Sequence, residues 1–223
     1  MIPGDGMTVE LLLVTMSRWV GLAALATLVG GLVLEVVILP WEPSEIGPVR
    51  RRLGRLGALC LVVLVATTGV ELVTRARTMA GGDLTAAIPA IPSVLTGTHF
   101  GTIWLGRFIV LALALVIAGI RSRVARAASL VLALAVTLTT SLTGHAGDQG
   151  DFTLAVAIDW IHVMAVSAWT GGLLGLALCV LGPARDWPLA LLGRVMRRFS
   201  RLARLCLLAA VVTGSYNAWT QLR

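Results

Sequence analysis

Six stretches of the chain, at residues 10–39, 53–76, 102–120, 124–144, 154–182 and 199–220, run for about twenty residues or more with scarcely a charge inside them. A run of that length and apolarity crosses the ~30 Å hydrocarbon core of a bilayer as a helix, because in lipid every backbone N–H and C=O must be satisfied within the segment. Hydrophobic residues make up 57% of the chain and charged residues 13%, about half the usual ~25% charged share. Too few polar side chains remain to cover a soluble surface, which excludes a soluble globular domain and a disordered chain. The expectation is an all-α, polytopic membrane helix bundle forming a single domain over residues 1–223. The first stretch reads as a span and not as a cleaved leader: Asp5 and Glu10 flank it where a leader carries basic residues, and it is too long. Residues 80–98 hold Gly81, Gly82, Pro89 and Pro92. They are too broken to span and predict an outside loop with a short surface helix.

All 18 basic residues are arginine, against 11 acidic ones, for a net charge of +7. That basicity would fit nucleic acid in a soluble protein, but here the arginines cluster between the apolar runs and read as topology signals. Thirteen of them fall in the loops after spans one, three and five: Arg50, Arg51, Arg52 and Arg55, then Arg121, Arg123 and Arg126, then Arg185, Arg194, Arg197, Arg198, Arg201 and Arg204. Arg75, Arg77 and Arg223 lie on the other side. The positive-inside bias places both termini outside and the arginine-rich loops in the cytoplasm. The partner expected from composition is the lipid bilayer, with no nucleic acid.

The chain also repeats itself. Residues 19–32 (WVGLAALATLVGGL) match residues 160–173 (WIHVMAVSAWTGGL), with Trp19 on Trp160 and Gly30-Gly31 on Gly171-Gly172. Residues 51–69 match residues 197–214, with Arg51-Arg52 on Arg197-Arg198 and Cys60 on Cys206. Both copies start on the same side, so the expectation is a parallel repeat of spans 1–2 and 5–6 about an axis along the membrane normal. Gly21 of the first copy stands where the second has His162, which marks His162 as a place to look for chemistry.

The three histidines, His99, His145 and His162, all fall toward the outer side in this topology. Asp159, Glu71 and Arg107 lie at the same level, and ionisable groups inside a membrane are functional candidates by default. Asp159, three residues before His162, is expected to orient that imidazole. Glu71 and Arg107 read as a structural ion pair. Met16, Met79 and Met164 also lie outward, and thioethers suit Cu(I). Trp19 and Trp160 read as interfacial anchors. The thiols Cys60, Cys179 and Cys206 fall in the cytoplasmic half, where they read as apolar filler or as acceptors of a soft metal. The chain has no phosphate-binding loop, HExxH, CxxC or GxSxG, so no enzyme class is indicated.

Four stretches resemble the copper-resistance protein D (CopD) family of inner-membrane proteins: GTHFGTIWLGR (97–107), SLTGHA (141–146), DWIHVMAVSAWTGGL (159–173) and RRFSRLARLCLLAAVVTGSYNAW (197–219). The resemblance covers spans three to six well and spans one and two in general terms. It implies copper handling beside a periplasmic copper carrier, with His145 and His162 matching the family's membrane histidines. Family members often have eight spans, where six are read here. The leading expectation is copper, as Cu(I) or Cu(II), bound by His145 and His162 and translocated, with His99 and Met164 as further ligands and Asp159 supporting. The alternatives are a haem b subunit with two axial histidines and a structural membrane partner.

Overall fold

The computed structural model describes residues 5–41, 44–81 and 84–221. Arg223 and Gly82, which enter the sequence reading above, lie outside them. Among the described residues there are seven α-helices and no strands: α1 (Asp5–Val33), α2 (Gly47–Met79), α3 (Leu84–Gly97), α4 (His99–Ala118), α5 (Arg123–Leu142), α6 (Leu154–Gly175) and α7 (Leu189–Gln221). Local chemistry sets several helix starts. Pro48 occupies the first turn of α2, where its missing N–H costs nothing. The hydroxyls of Thr98, Ser122 and Thr153 accept from Gly101, Ala125 and Val156 N–H at the starts of α4, α5 and α6.

Large aliphatic side chains stay exposed along the long helices, among them Leu13, Val62, Val116, Val131, Leu178 and Leu208. A soluble monomer rarely exposes so much apolar surface, whereas lipid requires it. Five helical segments are long and apolar enough to cross a membrane: Leu11–Ile38, Gly47–Met79, His99–Ala118, Arg123–Leu142 and Leu154–Val180. The expected sixth span, 199–220, lies within α7 and is not among the five. Arg204 bounds its apolar stretch on one side and Ser215, Tyr216 and Asn217 dilute it on the other. The broken segment before α4 forms α3, with Pro89 and Pro92 inside it. Ala87 and Val94 are buried against Leu72 and Ala76 of α2 and Trp104 of α4.

α1 is the centre of the bundle. Leu25, Leu28, Val29 and Leu32 are buried with Cys60, Leu61 and Leu64 of α2, Leu111 of α4, Val136 of α5 and Ala168 of α6. α1 and α6 cross with backbone against backbone at Gly30, Gly171 and Gly172, where a Cβ on Gly30 would fall on the two facing glycines. Glycine at such a crossing replaces the side-chain layer with direct van der Waals contact, which is how helices associate where lipid removes the hydrophobic driving force. Both helices end in a five-residue π-helical turn, Leu34–Ile38 after α1 and Leu176–Val180 after α6.

Candidate functional site

A cavity of ≈ 880 Å³ opens at the end of the bundle where α1 begins and α7 finishes, opposite the arginine-rich turns. α1 and α2 line it with Val14, Arg18, Gly21, Thr67, Glu71 and Thr74, and α6 and α7 with Ala155, Asp159, Asn217 and Thr220. In the register that places Trp19 on Trp160 and Cys60 on Cys206, four of these are matched pairs: Val14 with Ala155, Arg18 with Asp159, Glu71 with Asn217 and Thr74 with Thr220. Two of the pairs, Arg18 with Asp159 and Glu71 with Asn217, differ in charge. Arg18 faces the space from one side and Asp159 from the other.

Arg107 anchors the wall between α2, α4 and α5. It is buried, and its Nη1 donates to Glu71 Oε2 at 3.3 Å. Its Nε donates to Thr139 Oγ1 at 2.8 Å, and its Nη2 to Thr139 O at 2.9 Å and Thr143 Oγ1 at 3.1 Å. The ion pair read from the sequence is present, and the three further bonds explain why arginine stands there: its planar fork reaches two helices at once. Arg107→Lys keeps the charge but cannot make that set. An expected loss of about 2 kcal/mol in unfolding free energy follows from the forfeited charge-assisted bonds. Denaturant unfolding followed by circular dichroism checks it, and a loss below ~0.5 kcal/mol would show the fork to be dispensable.

The predicted site residues are not gathered in one place. His145 lies on the 3₁₀ turn His145–Gln149 and lines the cavity, largely exposed, with Nδ1 3.7 Å from Asp148 Oδ2. His162 is half-buried on the seam between α6 and α7, where Nδ1 lies 3.0 Å from Thr213 Oγ1. His162 does not line the cavity, nor do His99 and Met164. Asp159 does, but its Oδ1 accepts from Asn217 Nδ2 at 2.9 Å, so its recorded partner is on α7 and is not His162. His99 Nε2 lies 2.9 Å from Asp151 Oδ1 and ties the start of α4 to the turn before α6. Trp160, expected as an interfacial anchor, donates its indole N–H to Leu134 O and Thr137 Oγ1 of α5. Trp19, in contrast, is 67% exposed. Cys60, Cys179 and Cys206 are free and buried. Among the described residues no group of three or more His, Cys, Asp or Glu side chains comes together. The cavity therefore offers imidazole and carboxylate donors in groups of no more than two, His145 with Asp148 among them.

One ionisable pair was not singled out in the sequence. Glu35, in the π-helical turn after α1, is 2% exposed. Its Oε2 lies 3.2 Å from Nε of Arg126 on α5. Neither carboxylate oxygen has a hydrogen-bond partner. An acidic residue inside the first apolar run was the available signal. Its partner stands 91 positions away, in an arginine cluster that reads only as a topology signal.

Comparison with known proteins follows the same lines. Residues 7–154 match the family described as copper resistance protein D-like, N-terminal domain. That match takes in α1 and α2, where the motif resemblance is only general, and stops at the start of α6. The copper transport protein CutJ of Bacillus subtilis (strain 168) is 27% identical over 179 residues, which cover 76% of this chain and 32% of the relative. The copper resistance protein D of Pseudomonas syringae pv. tomato is 30% identical over 171 residues, covering 73% of this chain and 54% of the relative. The chain thus spans about a third to a half of the length of these curated relatives. No solved structure matches it.

Proposed function

The chain belongs to the copper resistance protein D family, and from that premise we propose that it is a multi-pass bacterial inner-membrane protein that takes up copper from the periplasm through the cavity at the termini end. The observation that carries the reading is the cavity, walled by matched positions of α1–α2 and α6–α7, with the imidazole of His145 at its edge. An internal repeat is part of the proposal. It is supported by the two π-helical turns, by the glycine crossing, and by the contact of α1 with α2 at Gly21 and Thr67 recurring as that of α6 with α7 at His162 and Thr213. Six spans with both termini periplasmic complete the arrangement, α7 supplying the sixth.

Copper is cargo here. Donors presented in groups of fewer than three suit passage more than storage, and imidazole accepts either oxidation state of copper. His145 receives the ion, delivered by a periplasmic carrier. His162, with Met164 two residues on, is the next station, one turn beyond Asp159. His99 plays the smallest part. The relatives' names point to copper transport and resistance and not to catalysis.

Copper content of purified protein tests the reading. The His145→Ala/His162→Ala variant should retain at least tenfold less copper than wild type, Asp159→Asn should lose less, and His99→Ala least. Unchanged copper in the double variant would overturn the histidine path, and a Soret band in the absorbance spectrum would replace copper with haem b.

A further inference from the structure

At the arginine-rich end a second cavity, of ≈ 550 Å³, lies between the first turns of α2 and the turn joining α4 to α5. Arg51 and Arg55 reach it from α2 and Arg121 from the α4–α5 turn. All three are exposed, and no ion pair or hydrogen bond engages their side chains among the described residues. Arg51, Arg55 and Ala58 recur at helical spacing and share one face of α2. The neighbouring cations are already committed. Arg126 pairs with Glu35, while Arg50 donates to Pro40 O at 3.0 Å and stacks on Trp41, 3.8 Å from its ring centre. On the membrane side the cavity is apolar, with Ala58, Leu115 and Ala118 along its wall. Trp41 sits at its edge, a residue type that favours headgroup level.

Arginines at this end need no explanation beyond topology. Convergence of three uncommitted ones on a single concavity does, because like charges brought together repel unless an anion sits among them. We propose that this cavity is a binding site for an anionic phospholipid, its headgroup phosphate held by Arg51, Arg55 and Arg121 and its acyl chain laid along Ala58, Leu115 and Ala118. Basic pockets between transmembrane helices recognise headgroups in this way, and guanidinium matches phosphate oxygens bidentately. The apolar wall selects a lipid over free phosphate, since a soluble anion gains nothing from it. The site is independent of copper handling.

The test uses the full chain, purified, delipidated and titrated with phosphatidylglycerol, phosphatidylcholine or inorganic phosphate. Lipid retention is read by native mass spectrometry and stability by thermal unfolding. Phosphatidylglycerol should bind and raise the unfolding temperature of wild type, and the other two should not. Each arginine contributes about fivefold in affinity, so Arg51→Gln/Arg55→Gln/Arg121→Gln should weaken binding on the order of 100-fold. The triple lysine variant, which preserves charge and topology, should recover most of it. Arg194→Gln/Arg201→Gln/Arg204→Gln removes the same charge from exposed positions of α7 outside the cavity and should bind as wild type. Equal loss in both glutamine variants would reduce the effect to surface charge and overturn the site. Phosphate that binds and stabilises as well as the lipid would overturn a lipid occupant, and wild type indifferent to phosphatidylglycerol would overturn the proposal outright even if no variant folds.

Discussion

Gly171→Ala is expected to prevent α1 from packing on α6 and to leave little folded protein. A Cβ at Gly171 falls on the carbonyl oxygen of Ala26, so the obstacle is backbone and no rotamer change relieves it. Overpacking a core costs about 1–3 kcal/mol when side chains can shift. Here a helix must move, and the expected loss lies above that range. The damage spreads because α1 carries most of the central core, and separating it from α6 unseats Leu28, Val29 and Leu32 together. Gly30→Ala should behave alike, since its Cβ falls on Gly171 and Gly172. Gly106→Ala is the control: nothing stands within 4 Å of its Cβ, and alanine in a helix interior gains up to ~1 kcal/mol over glycine. Yield of monodisperse protein and its thermal unfolding in detergent check the series. A Gly171→Ala protein as stable as Gly106→Ala would mean that the helices do not cross there.

Removing Glu35 is the second large effect. Glu35→Ala strands the Arg126 guanidinium, whose side chain is only 13% exposed. Breaking a buried pair from one side costs about 3–5 kcal/mol, because the remaining charge stays desolvated without a partner. The double variant Glu35→Leu/Arg126→Leu removes both charges and should recover most of the loss, since apolar replacement of a buried pair is often neutral or better. Unfolding free energies of the two variants decide it. A single variant within ~1 kcal/mol of wild type, or a double variant no better than the single, would show that the pair does not hold α1 to α5. Arg126 was legible only as one of a cluster that sets topology. The structure gives it this further task.

Much of the architecture is set by local rules. Apolar runs long enough to span appear as helices because lipid offers the backbone no other partner, and the polar residues Thr98, Ser122 and Thr153 start helices wherever they precede one. The Glu71–Arg107 pair was also legible, since two opposite charges at one depth in hydrocarbon have few alternatives. The glycine pairs at 30–31 and 171–172 were legible as matched positions of a repeat, though not as surfaces that pack on each other.

Pairing of the remaining polar groups was decided by tertiary structure. Asp159 and His162 stand one turn apart on α6, and along a single helix that spacing predicts a contact between them. α7 presents Thr213 and Asn217 four residues apart, also one turn, and the bonds run across the seam, His162 to Thr213 and Asp159 to Asn217. Trp160 likewise bonds across to α5, donating to Leu134 O and Thr137 Oγ1. Glu35 finds Arg126, and Arg18 comes to share a cavity with Asp159, over separations that no periodicity spans. The sequence by itself determined which apolar segments are helices, though not where each ends: the run at 53–76 lies inside a helix that extends from Gly47 to Met79. How each helix is rotated about its axis depends on the backbone contact at Gly30, Gly171 and Gly172. That rotation, which exists only in the packed bundle, decides which polar group meets which.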